Sequence, residues 1–205
     1  MKDIQQQISE HAKWLKGDHK CKQMLLARQD LNNLVLPKSD LRRANMSKCN
    51  LYKANLQRSN FTEARFEQTN LNSVNFREAD LTGVNFTGAN LKNADLRGAK
   101  LVGANLKGAD LRMALLEGAN IKGANLHNTI GDGIYIKSLY IDETYPVTYT
   151  DKLLQAGCYS LPISKWLTVS EDQVRALDGD AAVEFWKKYK DFLAQVVELF
   201  PAKPL

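Results

Sequence analysis

The residues of this chain that could do chemistry are few and scattered. Three histidines, His11, His19 and His127, stand apart, and no two share metal-ligand or general-base spacing on one recognisable element. His19 and Cys21 offer two ligands, whereas a structural zinc takes four and a catalytic zinc three plus water. No phosphate-cradling glycine loop, nucleophile elbow or CxxC pair occurs. Cys21, Cys49 and Cys158 are an odd, unspaced set, which argues against a disulfide framework and suits a reducing cytoplasm. The recurring carboxylates Asp40, Asp80, Asp95 and Asp110 share their position with Asn, so they are expected to hydrogen-bond turn backbone. The residues therefore predict a non-enzyme with no catalytic residue, metal, cofactor or small-molecule substrate.

What must position any working side chain is a repeat. From Met24 to Asn128 the chain reads as twenty-one consecutive blocks of five without a slip. The third residue of each block is large and apolar, from Leu26, Leu31, Leu36 and Leu41 through Phe61 and Phe66 to Ile121 and Leu126. The first becomes small, as at Ser39, Ala44, Cys49 and Ala54, and the second is usually Asn or Asp. A period of five fits neither the 3.6 of a helix nor the 2 of a strand. Sustained over a hundred residues, a short fixed period marks a solenoid whose units bury their apolar side chains by stacking. First and third positions then point inward from a short extended piece, and the fourth and fifth turn the corner.

The blocks ANLQR (54–58) and ADLRG (94–98) resemble the A-(D/N)-L-x-x motif of the pentapeptide-repeat family. The resemblance implies an all-β solenoid core, a right-handed quadrilateral β-helix with one block per side and about twenty residues per coil at the ordinary strand spacing of about 4.8 Å. Residues twenty apart then form columns, with Phe66 under Phe86 and Leu51, Leu71, Leu91 and Leu111 in one stack. Cys49 fills a small inward slot. Glycine takes the fifth position at 83, 88, 98, 103, 108, 118 and 123 but not earlier. Type II corners are therefore expected late in the solenoid and a different turn early.

The ends read differently. Residues 1–17 form an N-terminal capping helix, with Ile4, Ile8, Ala12 and Leu15 on one side and Gly17 as the stop. Its expected role is to close the first coil. The solenoid is expected over 24–142, its last coil imperfect, with Ile134, Ile136, Leu139 and Ile141 keeping the inward frame. The tail, 143–205, is read as a strand at YPVTYT, an irregular stretch around Gly157, Cys158 and Pro162, and two helices broken at Asp178-Gly179. Ser170 with Gln173 forms a capping box for the first of these helices, and the second carries Phe185, Trp186, Tyr189, Phe192, Leu193 and Val196 as a candidate interaction face. The HAKWLKG head and the IKSL, VTYT, GC and FWKK-Y landmarks of the tail are similar to those of phage and prophage members of the family. No transmembrane run or signal peptide is evident, so a cytoplasmic, membrane-free protein is expected.

Charge bears on partners. Twenty-eight basic residues oppose 23 acidic ones, a net charge of +5. Residues 24–142 hold 16 basic and 11 acidic side chains, whereas the tail is net acidic. Some pentapeptide-repeat proteins bind DNA gyrase as acidic mimics of duplex DNA, and a mildly basic solenoid departs from that pattern. By the coil register, Lys53, Lys92 and Arg112 share one side, and Arg58, Arg77 and Arg97 the next: a candidate basic stripe for weak nucleic-acid binding. Glu78, Asp95, Asp110 and Glu117 interrupt it and no aromatics interleave, so nucleic acid is not the expected partner.

Met113, Leu115 and Tyr135 place apolar side chains at outward positions, and such a cluster marks a contact surface for a partner or for the chain's own tail. The expectation is a protein-binding scaffold or host-factor modulator in a phage or prophage setting, with an unknown protein partner and a possible homodimer through the tail. A gyrase- or topoisomerase-directed protein and weak nucleic-acid binding are the alternatives.

Overall fold

A computed structural model describes residues 4–20, 22–140, 146–156, 159–166 and 168–204. The chain forms two compact units, Met1–Asn125 and Leu126–Leu205. Cys21 and Cys158, on which the reducing-compartment reading rests in part, lie outside the described residues, as do Ile141, Tyr145 and Gly157.

The first unit opens with helix α1, Ile4–Leu15. Its expected apolar side chains, Ile4, Ile8, Ala12 and Leu15, are only half-buried, and its fully buried residue is His11. The blocks that follow stack with a spacing of twenty, joined by parallel bridges from Leu25↔Asn45 to Asn105↔Asn125. Between neighbouring coils, third-position N–H groups reach up the stack and second-position N–H groups reach down: Leu51 N–H donates to Asn70 O and Asn70 N–H to Cys49 O. Every coil thus satisfies its neighbours' backbone, which lets so short a repeat persist.

The interior follows the five-residue frame. First- and third-position side chains from Leu41 to Leu126 are buried apart from Ile121 and Ala124, which are half-buried, and the frame does not slip. Phe61, Phe66, Phe76 and Phe86 pack as a cluster, with Phe66 and Phe86 stacked at 5.4 Å between centroids. Polar first-position residues are satisfied from within: Ser59 Oγ donates to Leu36 O at 2.7 Å and Thr69 Oγ1 to Met46 O at 2.8 Å.

The corners differ from expectation. Every fifth-position residue from Arg28 to Asn128, glycine or not, has φ between +55° and +69°. Third-position carbonyls accept the N–H three residues on, as Leu41 O does from Ala44 at 3.1 Å. That bond with positive φ at the third turn residue is the type II arrangement. One turn therefore serves early and late corners alike, because closing the coil demands it. Residues such as Lys48 and Gln68 hold a left-handed conformation that costs about 1 kcal/mol or more.

The second unit is not the strand and two helices expected. Four strands, β1 (Lys137–Tyr140), β2 (Pro146–Tyr149), β3 (Leu153–Ala156) and β4 (Tyr159–Pro162), make one antiparallel sheet in sequence order. Lys137–Tyr140 thus belongs to this sheet and not to a further coil, and Ile134 is exposed while Ile136 is buried. The stretch read as irregular supplies β3 and β4, whose four-residue strands are too short for periodicity to reveal. Helix α2 spans Ile163–Trp166, and α3 spans Glu171–Leu199 behind the expected Ser170–Gln173 capping box. Helix α3 runs through Asp178-Gly179, but Gly179 is left-handed at φ +70°, a local break rather than an end.

The core of this unit joins sheet to helix. Val147, Tyr149, Leu154 and Ala156 pack with Trp166, Val183, Phe185, Trp186 and Leu193. Both indoles are anchored, Trp166 Nε1 to Leu154 O at 3.0 Å and Trp186 Nε1 to Trp166 O at 3.2 Å.

Candidate interaction surface

The outer face of the solenoid is set residue by residue. Second-position Asn and Asp side chains accept the N–H two residues on: Asn60 Oδ1 from Thr62 at 3.0 Å and Asp80 Oδ1 from Thr82 at 3.1 Å. The carboxylates of Asp40, Asp95 and Asp110 do the same and also pair with Arg42, Arg97 and Arg112. These groups are tied to turn backbone and neighbouring guanidinium, so the arrangement holds corners rather than a reacting atom. Hydrogen bonding from Arg97 keeps the Asp95 carboxyl below its ordinary pKa, and Arg42 does so for Asp40. Among the described residues no group of three or more His, Cys, Asp or Glu side chains could hold a metal ion.

Most of the candidate basic stripe is already neutralised. Lys92 pairs with Asp110 at 3.2 Å, Arg112 with Asp110 at 2.8 Å and Arg97 with Asp95 at 2.6 Å. Arg58 and Arg77 both reach Glu78, at 2.9 and 3.6 Å. Lys53 lies over the ring of Tyr52, 5.1 Å from its centroid. Cations held in pairs along the rod present mixed charge, whereas phosphate binding relies on an unbroken run of positive charge.

The candidate face on α3 is largely internal. Phe185, Trp186 and Leu193 are core residues of the second unit, and Tyr189 and Val196 pack partly buried against that core. Phe192 alone among them stands exposed, at 47%. The sheet explains the difference: the expected strand at YPVTYT, together with the unanticipated β3, supplies the partner for that apolar face.

The outward apolar residues divide. Met113 is 74% exposed and Leu115 48%. Tyr135 is half-buried in a loop where the Asp132 carboxylate accepts the N–H groups of Ile134, Tyr135 and Ile136. The described twenty-residue bridges end at Asn105↔Asn125, and Leu115 closes the Val35–Asn55–Asn75–Asp95–Leu115 column. Two residues of the same corner escaped sequence reasoning. Val35 and Tyr52 are exposed, and both break the polar rule at second and fourth positions, the signal that would have found them. Val35 heads the column of Leu115, and Tyr52 adjoins Lys53 one coil along. Of the five large apolar side chains exposed in the solenoid unit, Leu25, Val35, Tyr52, Met113 and Leu115, four lie on this corner and the side after it. It is also the corner whose fifth positions, Asn33, Lys53, Ser73, Asn93 and Met113, include no glycine.

Among the described residues no helix is long and apolar enough to cross a membrane. No curated protein matches the chain significantly. Solved structures are similar in part. A pentapeptide repeat protein, Rfr23, from the cyanobacterium Cyanothece 51142 is 33% identical over 51% of this chain and 92% of its own, with a TM-score of 0.45. The pentapeptide repeat protein alr5209 from Nostoc PCC 7120 is 38% identical over 39% of this chain and 62% of its own, at 0.33. QnrB1, a plasmid-mediated fluoroquinolone resistance protein, is 18% identical over 52% of this chain and 72% of its own, at 0.28. At these scores the likenesses say nothing of role. The profile of pentapeptide repeats matches residues 26–62, 59–98 and 99–130. Proteins of that family fold as right-handed quadrilateral β-helices, the architecture that the four-block coil builds here. With its profile matched across half of the sequence, the chain belongs to the pentapeptide-repeat family.

Proposed function

We propose that this protein is a non-enzymatic protein-binding scaffold whose contact surface is the corner bearing Val35, Tyr52, Met113 and Leu115. The observation that carries the reading is that four of the exposed apolar side chains on an otherwise polar surface line one corner and the side after it, Val35 and Tyr52 in the first two coils and Met113 with Leu115 further along, with Asn55, Asn75 and Asp95 between Val35 and Leu115. Apolar patches rimmed by polar residues are characteristic of protein contacts. The rod contributes rigidity: its side chains are fixed by a backbone that orders once, on folding, so little entropy is lost on binding. A phage or prophage setting, with a host factor as partner, belongs to this reading through the head and tail landmarks of the sequence.

Affinity capture with the full chain as bait tests it. A Val35→Lys/Leu115→Lys variant with unchanged circular dichroism is expected to lose the protein that the wild type retains. Equal retention by both baits contradicts the reading. The topoisomerase alternative is separable: a supercoiling assay is expected to show no inhibition and no protection by the purified chain. Neither a free acidic face nor any described geometry favours that alternative.

A further inference from the structure

The first coil has no coil before it, so backbone groups that later coils share with a predecessor need other partners there. In a later coil a first-position N–H closes the preceding corner, as Ala44 N–H does on Leu41 O at 3.1 Å. A fourth-position carbonyl there accepts the N–H nineteen residues back, as Gln57 O does from Lys38 at 3.0 Å. At the start of the solenoid one side chain stands in for both partners. Nδ1 of His11 accepts the Met24 N–H at 3.0 Å, and Nε2 lies 2.9 Å from Arg42 O.

This geometry fixes the protonation state. A carbonyl oxygen can only accept, so Nε2 carries the proton and donates it to Arg42 O. Nδ1 receives an N–H and therefore carries none. The imidazole replaces a carbonyl with one nitrogen and an amide with the other, which only the neutral Nε2–H tautomer can do. A second proton would set Nδ1–H against Met24 N–H, donor facing donor. The ring has no room to turn away, being fully buried and stacked on Trp14 with centroids 5.5 Å apart.

We propose that His11 is a pH-sensitive latch that holds α1 on the first coil at neutral pH and releases it in acid, baring Met24 N–H and Arg42 C=O at the end of the rod. The charged groups that act on the ring are Asp40 and Arg42, both on the first coil and paired with each other at 2.8 Å. Hydrogen bonding from Arg42 holds the Asp40 carboxyl below its ordinary range, so that pair stays charged throughout the window. Burial is the largest influence on His11 and lowers its pKa from 6.5; the hydrogen bond to Arg42 O and the charge of Asp40 oppose it, and the charge of Arg42 adds to it. The sign follows. A ring whose pKa is lower in the latched state stabilises that state fully above pH 6.5. The stabilisation is lost as pH falls from there to the latched value, and each pH unit in that window multiplies the open fraction by up to about tenfold.

Hydrogen exchange of the Met24 amide and of α1 in the full chain, corrected for intrinsic rate and followed from pH 7.5 to 5, tests the latch. Wild type is expected to lose protection as pH falls below 6.5, at a slope of up to about tenfold per pH unit. His11→Gln, whose amide can donate and accept as the neutral ring does but does not titrate, is expected to stay flat; His11→Ala is expected to be unprotected throughout. Flat wild-type protection, or an acid loss in His11→Gln equal to that of wild type, overturns the proposal. Should His11→Gln fail to close at neutral pH, ring ¹⁵N shifts of the wild type decide. An Nε2–H tautomer titrating below 6.5 is expected; an Nδ1–H tautomer, or titration at or above 6.5, overturns it.

Discussion

Phe66 and Phe86 stack ring on ring, with centroids 5.4 Å apart and planes 25° from parallel, one coil directly over the other. Phe61 and Phe76 meet them edge-on, at 5.2 and 6.0 Å. The four rings form one aromatic knot inside the solenoid, all fully buried. Because each coil contacts only its neighbours, a loss here divides the rod in its middle.

Phe66→Ala is accordingly expected to lower stability by about 3–5 kcal/mol, through lost burial and the cavity left behind. Chemical denaturation of the full chain reads it. A loss of less than about 1 kcal/mol would show that the neighbouring coils collapse onto the gap.

Two glycines should behave oppositely for a physical reason. At Gly103 an added Cβ meets nothing within 4 Å, but φ is +64°. Gly103→Ala is therefore expected to cost only the left-handed strain, about 1 kcal/mol. At Gly131 an added Cβ would sit 2.0 Å from Ile136 O, a backbone atom. Gly131→Ala is expected to disrupt the loop ahead of β1, seen as lost amide protection at Ile136. Equal melting temperatures for the two variants would contradict this contrast.

Acid should act on the corners separately from His11. Hydrogen bonds from Arg42 and Arg97 hold the Asp40 and Asp95 carboxyls below their ordinary value of 3.8. A depressed folded pKa gives stability that is present above 3.8 and is lost as pH falls through the folded values. The melting temperature is expected to drop over that acid range. Asp40→Asn/Asp95→Asn keeps the acceptor for the turn N–H and removes the titration, so its drop should be shallower. An identical acid profile in the double variant would place the loss elsewhere.

The legible part of this protein is what the five-residue period controls. Leu51, Leu71, Leu91 and Leu111 are buried in the column predicted, because stacking leaves their side chains no other place. Corner geometry is where composition misleads about conformation. Glycine at 83 and its absence at 63 suggested two turns, yet Gly83 and Glu63 share a left-handed φ, of +65° and +59°. Coil closure sets the angle, and glycine only eases it. Of the four short strands of the second unit only β2, within YPVTYT, shows in the sequence; β1, β3 and β4 leave no periodic trace, so the Phe185–Trp186 face reads as a candidate interaction face when it is core. Met113 and Leu115 were visible as breaks in the polar pattern; Val35 and Tyr52 broke the same pattern. His11 was visible as a residue, but its work depends on backbone from residues 24 and 42, which no local pattern joins to it.

Oxidative footprinting of methionine tests the interaction corner most directly. Met113 is 74% exposed, whereas Met24 and Met46 are buried at 1% and 0% and serve as internal controls. Dilute peroxide applied to the full chain in buffer is expected to oxidise Met113 rapidly and spare the other two. With the captured partner bound, Met113 oxidation is expected to slow at least several-fold while Met24 and Met46 are unchanged. Met113 oxidising at the same rate in the bound and free protein would contradict the assignment of this corner as the contact surface.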